Sequence, residues 1–207
     1  MLTELQKRCV EITYKKQLTH LAGVLQAVDV IDGIYESKEK NEPFILANGH
    51  VALALYVVLE KYYGINAEKL FDKSGTHPTR GTSKYITVST GSLGHGLGLA
   101  VGMALSDRKR NVYVMTSDGD MAEGSSWEAL RIAGEQRLEN LRVVCLGNGY
   151  SGYQKVDTEL LDTRMQMFFP SLMVRKNAYA FPDWMQGYEG HYVKLNEQRY
   201  KELLNEA

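Results

Sequence analysis

The sequence has little that would place it in a membrane or on nucleic acid. Its longest wholly apolar run is nine residues, Val51 to Leu59, and a bilayer-spanning helix needs about twenty. Charge of neither sign is in excess: Lys and Arg number 24, Asp and Glu 25. A dedicated nucleic-acid binder would instead carry a basic excess or stripe. Cysteine is scarce. Cys9 and Cys145, far apart in the chain, read as free thiols of a reducing compartment. The residues after Met1 hold no apolar signal-peptide core. A cytoplasmic chain with no membrane and no nucleic acid as partner is the expectation. Internal repeats and low-complexity segments are also missing. No two histidines stand at HxxxH or HExxH spacing, which speaks against zinc. There is no Walker loop, and no GxGxxG between a strand and a helix.

What is present is ordinary globular composition, 44% hydrophobic in 207 residues, enough for one large domain or two small ones. Val24, Ala27, Val28, Ile31, Ile34 and Tyr35 recur at helical spacing, as do Leu2, Leu5, Cys9 and Ile12. Phe44 to Ala47 is a short apolar run before Asn48-Gly49-His50, and a helical stretch follows to about Tyr63. Gly94 to Leu105 is small and apolar all round, which predicts a buried helix approached closely by its neighbours, with Gly98 and Gly102 as packing glycines. Asn111 to Thr116 reads as a buried strand, Ser117 to Asp120 as a turn, Met121 to about Gln136 as a helix, and Leu141 to Leu146 as a second buried strand. That is the length of a right-handed βαβ unit. His191 to Leu195 reads as a last strand and Glu197 to Leu204 as a helix. Alternating elements predict an α/β fold, a doubly wound, mostly parallel sheet flanked by helices. Ligands of such folds gather at the carboxyl ends of the strands, here just after Ala47, Thr116 and Leu146.

Asp118 and Asn148 each follow a predicted strand, thirty positions apart. One crossover helix joins them, so they end on neighbouring strands at one edge. A carboxylate and an amide oxygen converging there suit a hard divalent cation. Gly119 lets backbone approach a ligand, and a helix opening near Met121 offers N–H groups to a phosphate. An Asp-Gly turn before a helix is also an ordinary cap. His50, between a strand and a helix, is expected at the same edge, and His20 and His77 fall at predicted loops.

These residues resemble the thiamine-diphosphate motif, GDG, a helix, then NN, in Ser117-Asp118-Gly119-Asp120 and Gly147-Asn148. The surrounding words resemble the transketolase family: Ala47-Asn48-Gly49-His50, Gly75-Thr76-His77-Pro78, Ser89-Thr90-Gly91-Ser92-Leu93-Gly94-His95-Gly96 and Glu123-Gly124-Ser125-Ser126-Trp127-Glu128-Ala129. The resemblance runs from about Leu5 to Asn148. It implies that Asp118, Asn148 and the Tyr150 carbonyl bind Mg²⁺ or Ca²⁺, which holds the diphosphate of thiamine diphosphate. It implies that His50 and the Gly119 backbone contact that diphosphate, with Asp120 in the same motif. Gly91, Ser92 and Leu93 are implied beside the aminopyrimidine, Glu123 in an acidic network between subunits, and His20 and His77 in the substrate channel. Thus His20, His50 and His77 are the implied catalytic histidines.

The family pattern departs at Gly149-Tyr150-Ser151-Gly152-Tyr153-Gln154, which implies a different surface beside the thiazolium and a changed sugar preference. Residues 1–207 read as a single diphosphate-binding (PP-type) domain with no pyrimidine domain and no late family histidine. The resemblance therefore implies one subunit of a split transketolase, moving a two-carbon ketol unit between sugars or sugar phosphates. Such a chain is inactive alone and is expected to pair with a separate pyrimidine-domain subunit in a heterotetramer. A related synthase or decarboxylase, deoxyxylulose-phosphate-synthase-like, and a degenerate scaffold are the other readings.

Overall fold

The computed structural model describes residues 2–151, 154–176 and 181–204. The chain divides into two compact units. One comprises residues 1–37, 50–76 and 179–207, the other residues 38–49 and 77–178.

The first unit is helical. Helix α1 (Glu4–Lys16) opens with a capping box in which Thr3 and Gln6 satisfy each other's backbone N–H groups. Helix α2 (Leu21–Ser37) buries the predicted stripe of Val24, Ala27, Val28, Ile31, Ile34 and Tyr35. Helix α3 (Ala52–Tyr63) is buried from Ala52 to Leu59, so the longest apolar run of the sequence is a core helix. Among the described residues no helix is long and apolar enough to cross a membrane. Helix α4 (Ala67–Ser74) follows, capped by Asn66. Arg8 of α1 reaches Glu60 at 2.9 Å and Glu68 at 3.3 Å, an ion-pair network that ties α1 to α3 and α4.

The second unit holds the sheet. Strands β1 (Phe44–Leu46), β2 (Val112–Ser117), β3 (Leu141–Gly147) and β4 (Met173–Lys176) pair in that order, all parallel. The connections carry helices α5 (His95–Ser106), α6 (Gly124–Glu135) and α7 (Thr158–Phe168); α5 packs on α6, and α6 on α7. The α/β class with a parallel sheet flanked by helices follows directly. β2 and β3 are largely buried, with Arg142 the one exposed residue of β3, which is why both read as predominantly apolar strands. Leu97, Val114, Leu130, Cys145 and Met165 lie in the core between sheet and helices. Cys145 and, in the first unit, Cys9 are buried free thiols.

Four sequence expectations are corrected here. Helix α6 begins at Gly124, after a 3-10 turn over Asp120–Ala122, so no α-helix opens at Met121. The Ser126 hydroxyl donates to the Asp120 carbonyl at 2.7 Å, and Glu123 N–H donates to the same carbonyl, which closes the tighter turn first. Helix α5 is buried on one face only. Gly98 and Gly102 are exposed, and a Cβ at either would meet nothing within 4 Å, so neither is a packing glycine. The small residues that do pack closely are Gly94 and Gly96: a Cβ at Gly96 would lie 2.4 Å from the Ala47 Cβ. His191 to Leu195 is not a strand; it follows the short helix α8 (Gly187–Gly190) as irregular chain. Helix α9 (Glu197–Leu204) stands where the spacing predicts it.

Candidate functional site

The βαβ unit delivers Asp118 as the sequence predicts. Ser117 pairs with Leu146 across the parallel register, so Asp118 and the Asn148 loop emerge together at the carboxyl edge. Asp118 is buried. Its Oδ2 accepts from the N–H groups of Asn148 at 2.9 Å, Gly149 at 2.9 Å and Tyr150 at 3.2 Å. Its Oδ1 accepts from Gly119 N–H at 3.1 Å. Burial pushes the carboxyl up to about 6, and these four N–H groups pull the other way without cancelling it. Such a carboxylate is short of positive charge, which is what a hard cation supplies. The Asn148 amide oxygen lies in the same loop and accepts from Tyr150 N–H at 2.9 Å. Among the described residues no three His, Cys, Asp or Glu side chains cluster as a metal site; an Asp–Asn–carbonyl set needs only one of them. Gly119 has helical backbone angles, and the nearest atom to a Cβ built there is 3.5 Å away. A Cβ there would make ordinary van der Waals contact with the Ser117 and Leu93 side chains. The donor chemistry of Asp118, Asn148 and the Tyr150 carbonyl fits Mg²⁺. Tyr150 meets Asp118 through its N–H, while the implied ligand is its carbonyl.

Asp120 is turned into the protein. Its Oδ1 accepts from Gly94 N–H at 3.1 Å, and its Oδ2 from the Ser117 N–H at 3.1 Å and hydroxyl at 3.0 Å. Burial raises its pKa against those same bonds. Its geometry is that of a clamp between the α5 entrance and the β2 end. Glycines complete this edge. A Cβ on Gly94, whose φ is +81°, would fall 2.5 Å from Ser125 Oγ and 2.6 Å from Glu123 Cβ. Gly91, at φ +147°, lies under the His77 ring, 2.9 Å from a Cβ position, and Gly49 lies against the Gly91 backbone at the same separation. Leu93 Cδ1 comes within 3.7 Å of a Cβ position on Gly119. His77, Gly91, Leu93, Gly94, Asp118, Gly119 and Glu123 therefore converge in the second unit. Ser92 and Glu123 are exposed. Gly152 and Tyr153 of the departing loop lie outside the described residues.

Sequence reasoning missed the surroundings of Asp118. A cavity of about 560 Å³ has Asp118 in its wall, with Trp127, Lys155, Arg164 and Phe168 among the other lining residues. The Trp127 and Phe168 rings sit 5.8 Å apart. Trp127 lies in a family word; Lys155 and Arg164 carried no signal.

In the first unit His20 and His50 are brought together, their ring centroids 5.3 Å apart. His20 has a positive φ of 65°, and its Nδ1 lies 2.9 Å from the Thr19 hydroxyl. Sequence reasoning missed the third member, His191. The His191 carbonyl accepts from His20 N–H at 2.7 Å, and the two rings are 6.2 Å apart. The Tyr192 ring stands edge-on to His20 at 5.4 Å. Burial lowers the His191 pKa.

Comparison with known proteins agrees with the motifs. Residues 32–168 match the family model "Transketolase, thiamine diphosphate binding domain". A relative from Phocaeicola vulgatus, named as one of the subunits of apulose-4-phosphate transketolase, is 35% identical over 157 residues, 66% of this chain and 55% of that protein. Its namesake from Actinobacillus succinogenes is 31% identical over 173 residues, 72% of this chain and 63% of that protein. The chain thus spans between half and two thirds of the length of these relatives. A transketolase structure from Pichia stipitis superposes with a TM-score of 0.65 at 22% identity, over 80% of this chain and 31% of that one, a likeness of fold. A family match over residues 32–168, most of the chain, leads to one conclusion: this chain belongs to the family of transketolase thiamine-diphosphate-binding domains.

Proposed function

We propose that this chain is the diphosphate-binding component of a two-component transketolase, dependent on thiamine diphosphate and Mg²⁺, and that residues 1–207 act as its PP-type domain. The observation that carries the reading is the buried Asp118 carboxylate, held at the end of β2 by the N–H groups of residues 148–150 at the end of β3. The two apulose-4-phosphate transketolase relatives are each named as one subunit of their enzyme, which supports a division between chains. The proposal is completed by a separate pyrimidine-domain partner, a heterotetramer of two such pairs and a cytoplasmic location.

When bound, thiamine diphosphate supplies the carbanion that takes a two-carbon ketol unit from a ketose and gives it to an aldose. The work of this chain is position and electrostatics. Asp118, Asn148 and the Tyr150 carbonyl hold the metal, and the Gly119 backbone and His50 hold the diphosphate. Gly91, Ser92 and Leu93 lie along the cofactor, and Asp120 keeps their segment fixed through Gly94. Glu123 belongs to the contact with another subunit. His20, His50 and His77 bind sugar hydroxyls and move protons at them.

Calorimetry of thiamine diphosphate with Mg²⁺ on the chain plus its pyrimidine-domain partner tests this. Saturable binding and ketol transfer are expected with the partner, no transfer by the chain alone, and at least a hundredfold loss of binding in Asp118→Ala. Intact binding in that variant refutes the metal assignment, and turnover by the purified chain alone refutes the two-component reading.

A further inference from the structure

His20 stands in a backbone conformation that its residue type disfavours. Its φ is +65°, a left-handed angle that persists in a non-glycine residue only where the surroundings impose it. The flanking Leu18-Thr19 and Leu21-Ala22 bring no glycine or proline to shape the turn. What imposes the angle comes from the far end of the chain. The His191 carbonyl accepts from His20 N–H at 2.7 Å, while the His20 carbonyl accepts from Val24 N–H at 3.1 Å and so opens helix α2. The ring is bounded as well. Tyr192 stands edge-on to it at 5.4 Å and His50 lies at 5.3 Å, and its Nδ1 is 2.9 Å from the Thr19 hydroxyl.

His191 and Tyr192 are set in turn by helix α8. His191 N–H donates to the Tyr188 carbonyl at 3.2 Å, and Tyr192 N–H to the Glu189 carbonyl at 3.0 Å. The Tyr188 ring backs the Tyr192 ring at 5.6 Å. Gly190 is buried, and a Cβ there would fall 2.4 Å from the Met185 carbonyl carbon, so only glycine lets this turn close on Met185. Past the turn, the Leu195 carbonyl accepts from Gln17 Nε2 at 3.0 Å. The segment is thus tied on both sides of Tyr192 to the loop that carries His20.

We infer that residues 187–195 form a strap that positions His20, with the Tyr192 ring as its positioning side chain and Gly190 as the residue that lets the His191 carbonyl reach His20 N–H. The inference rests on the sugar-transferring reading above and deepens it: the histidine assigned there to substrate hydroxyls is aimed by a segment outside the family-matched residues 32–168. A return of His20 to negative φ would re-aim its Cα–Cβ bond and carry the ring away from His50 and Tyr192. Placement of that kind is what turnover depends on.

The test is nuclear magnetic resonance of the full chain as wild type, Tyr192→Phe, Tyr192→Ala and Gly190→Ala, with transfer from a ketose donor measured in the presence of the partner. In the wild type the His20 amide should exchange at least about tenfold more slowly than an unbonded amide, and the His20 and His50 rings should show a nuclear Overhauser contact. Tyr192→Phe keeps the ring and should match the wild type in both. Tyr192→Ala should lose the ring contact and lower kcat/KM about tenfold, with little change in urea midpoint because Tyr192 is exposed. Gly190→Ala should speed exchange of the His20 amide about tenfold; if that variant does not fold, Tyr192→Ala decides the matter. A fast-exchanging His20 amide in the wild type overturns the strap. An equal loss in Tyr192→Phe and Tyr192→Ala overturns the assignment to the ring. If the wild type with partner binds no thiamine diphosphate and transfers nothing, the transketolase reading falls and the resonance data still decide the strap. If transfer proceeds and Tyr192→Ala leaves both ring contact and rate unchanged, only the strap falls.

Discussion

The sheet edge and the histidine cluster are made by opposite means. At the sheet edge, one buried carboxylate is gripped by consecutive backbone N–H groups, and glycines let three loop segments meet without side chains between them. In the cluster, side-chain rings from residues 20, 50, 191 and 192 meet near one another, and the backbone contributes a single bond between His20 and His191. Backbone geometry tolerates almost no substitution, since a Cβ or a lost N–H cannot be moved aside. Ring packing at half-exposed positions is adjustable. The difference is one of tolerance: the sheet edge is fixed by backbone, the cluster by side chains.

The comparison can be broken most forcefully at Gly94. Its positive φ and the absence of room at Glu123 and Ser125 should make Gly94→Ala cost about 2–5 kcal/mol, read as a large fall in Tm and in urea midpoint. Wild-type stability would show that the loops at this edge are not close-packed. Gly98, on the same helix, is the control: it is exposed, helical and unobstructed. Gly98→Ala should raise stability by about 0.5–1 kcal/mol. A loss instead would mean that something covers this face of α5.

The smallest expected effect belongs to the cluster. Burial lowers the pKa of His191 in the folded chain, so below the unfolded value of about 6.5 the unfolded chain binds the extra proton first. Stability contributed by the neutral ring is then present above about pH 6.5 and is lost as pH falls through the lowered folded pKa. The difference between wild type and His191→Gln, measured by urea titration from pH 7.5 to pH 5, should narrow towards acid. A constant difference would mean that the ring is as well solvated folded as unfolded.

Much of the sheet edge was legible because its determinants are local. Two apolar runs, one amphipathic stretch between them and a polar residue after each run place Asp118 beside the 148–150 loop. Three features of the fold were not. The start of α6 turned on the Ser126 hydroxyl bond to the Asp120 carbonyl, which has no sequence period. Strand β4 is four residues long, half of them basic and mostly exposed, the character of a strand with one neighbour. The alternation of Tyr192, Val193, Lys194 and Leu195 mimics a strand, yet the segment is pinned by two bonds to residues 17 and 20 and joins no sheet.

By itself the sequence determined the α/β class, the order of strand and helix through residues 111–147, and the pairing of Asp118 with the Asn148 loop. Hydrophobic period and the geometry of a parallel crossover suffice for all three. Only the tertiary structure decided which oxygens of Asp118 and Asp120 face which N–H groups, which glycines are obligatory, and that His191 and Tyr192 join His20 and His50. Those contacts join residues up to 171 positions apart. They depend on how helices and loops pack in three dimensions, and packing over such separations leaves no periodic trace along a chain.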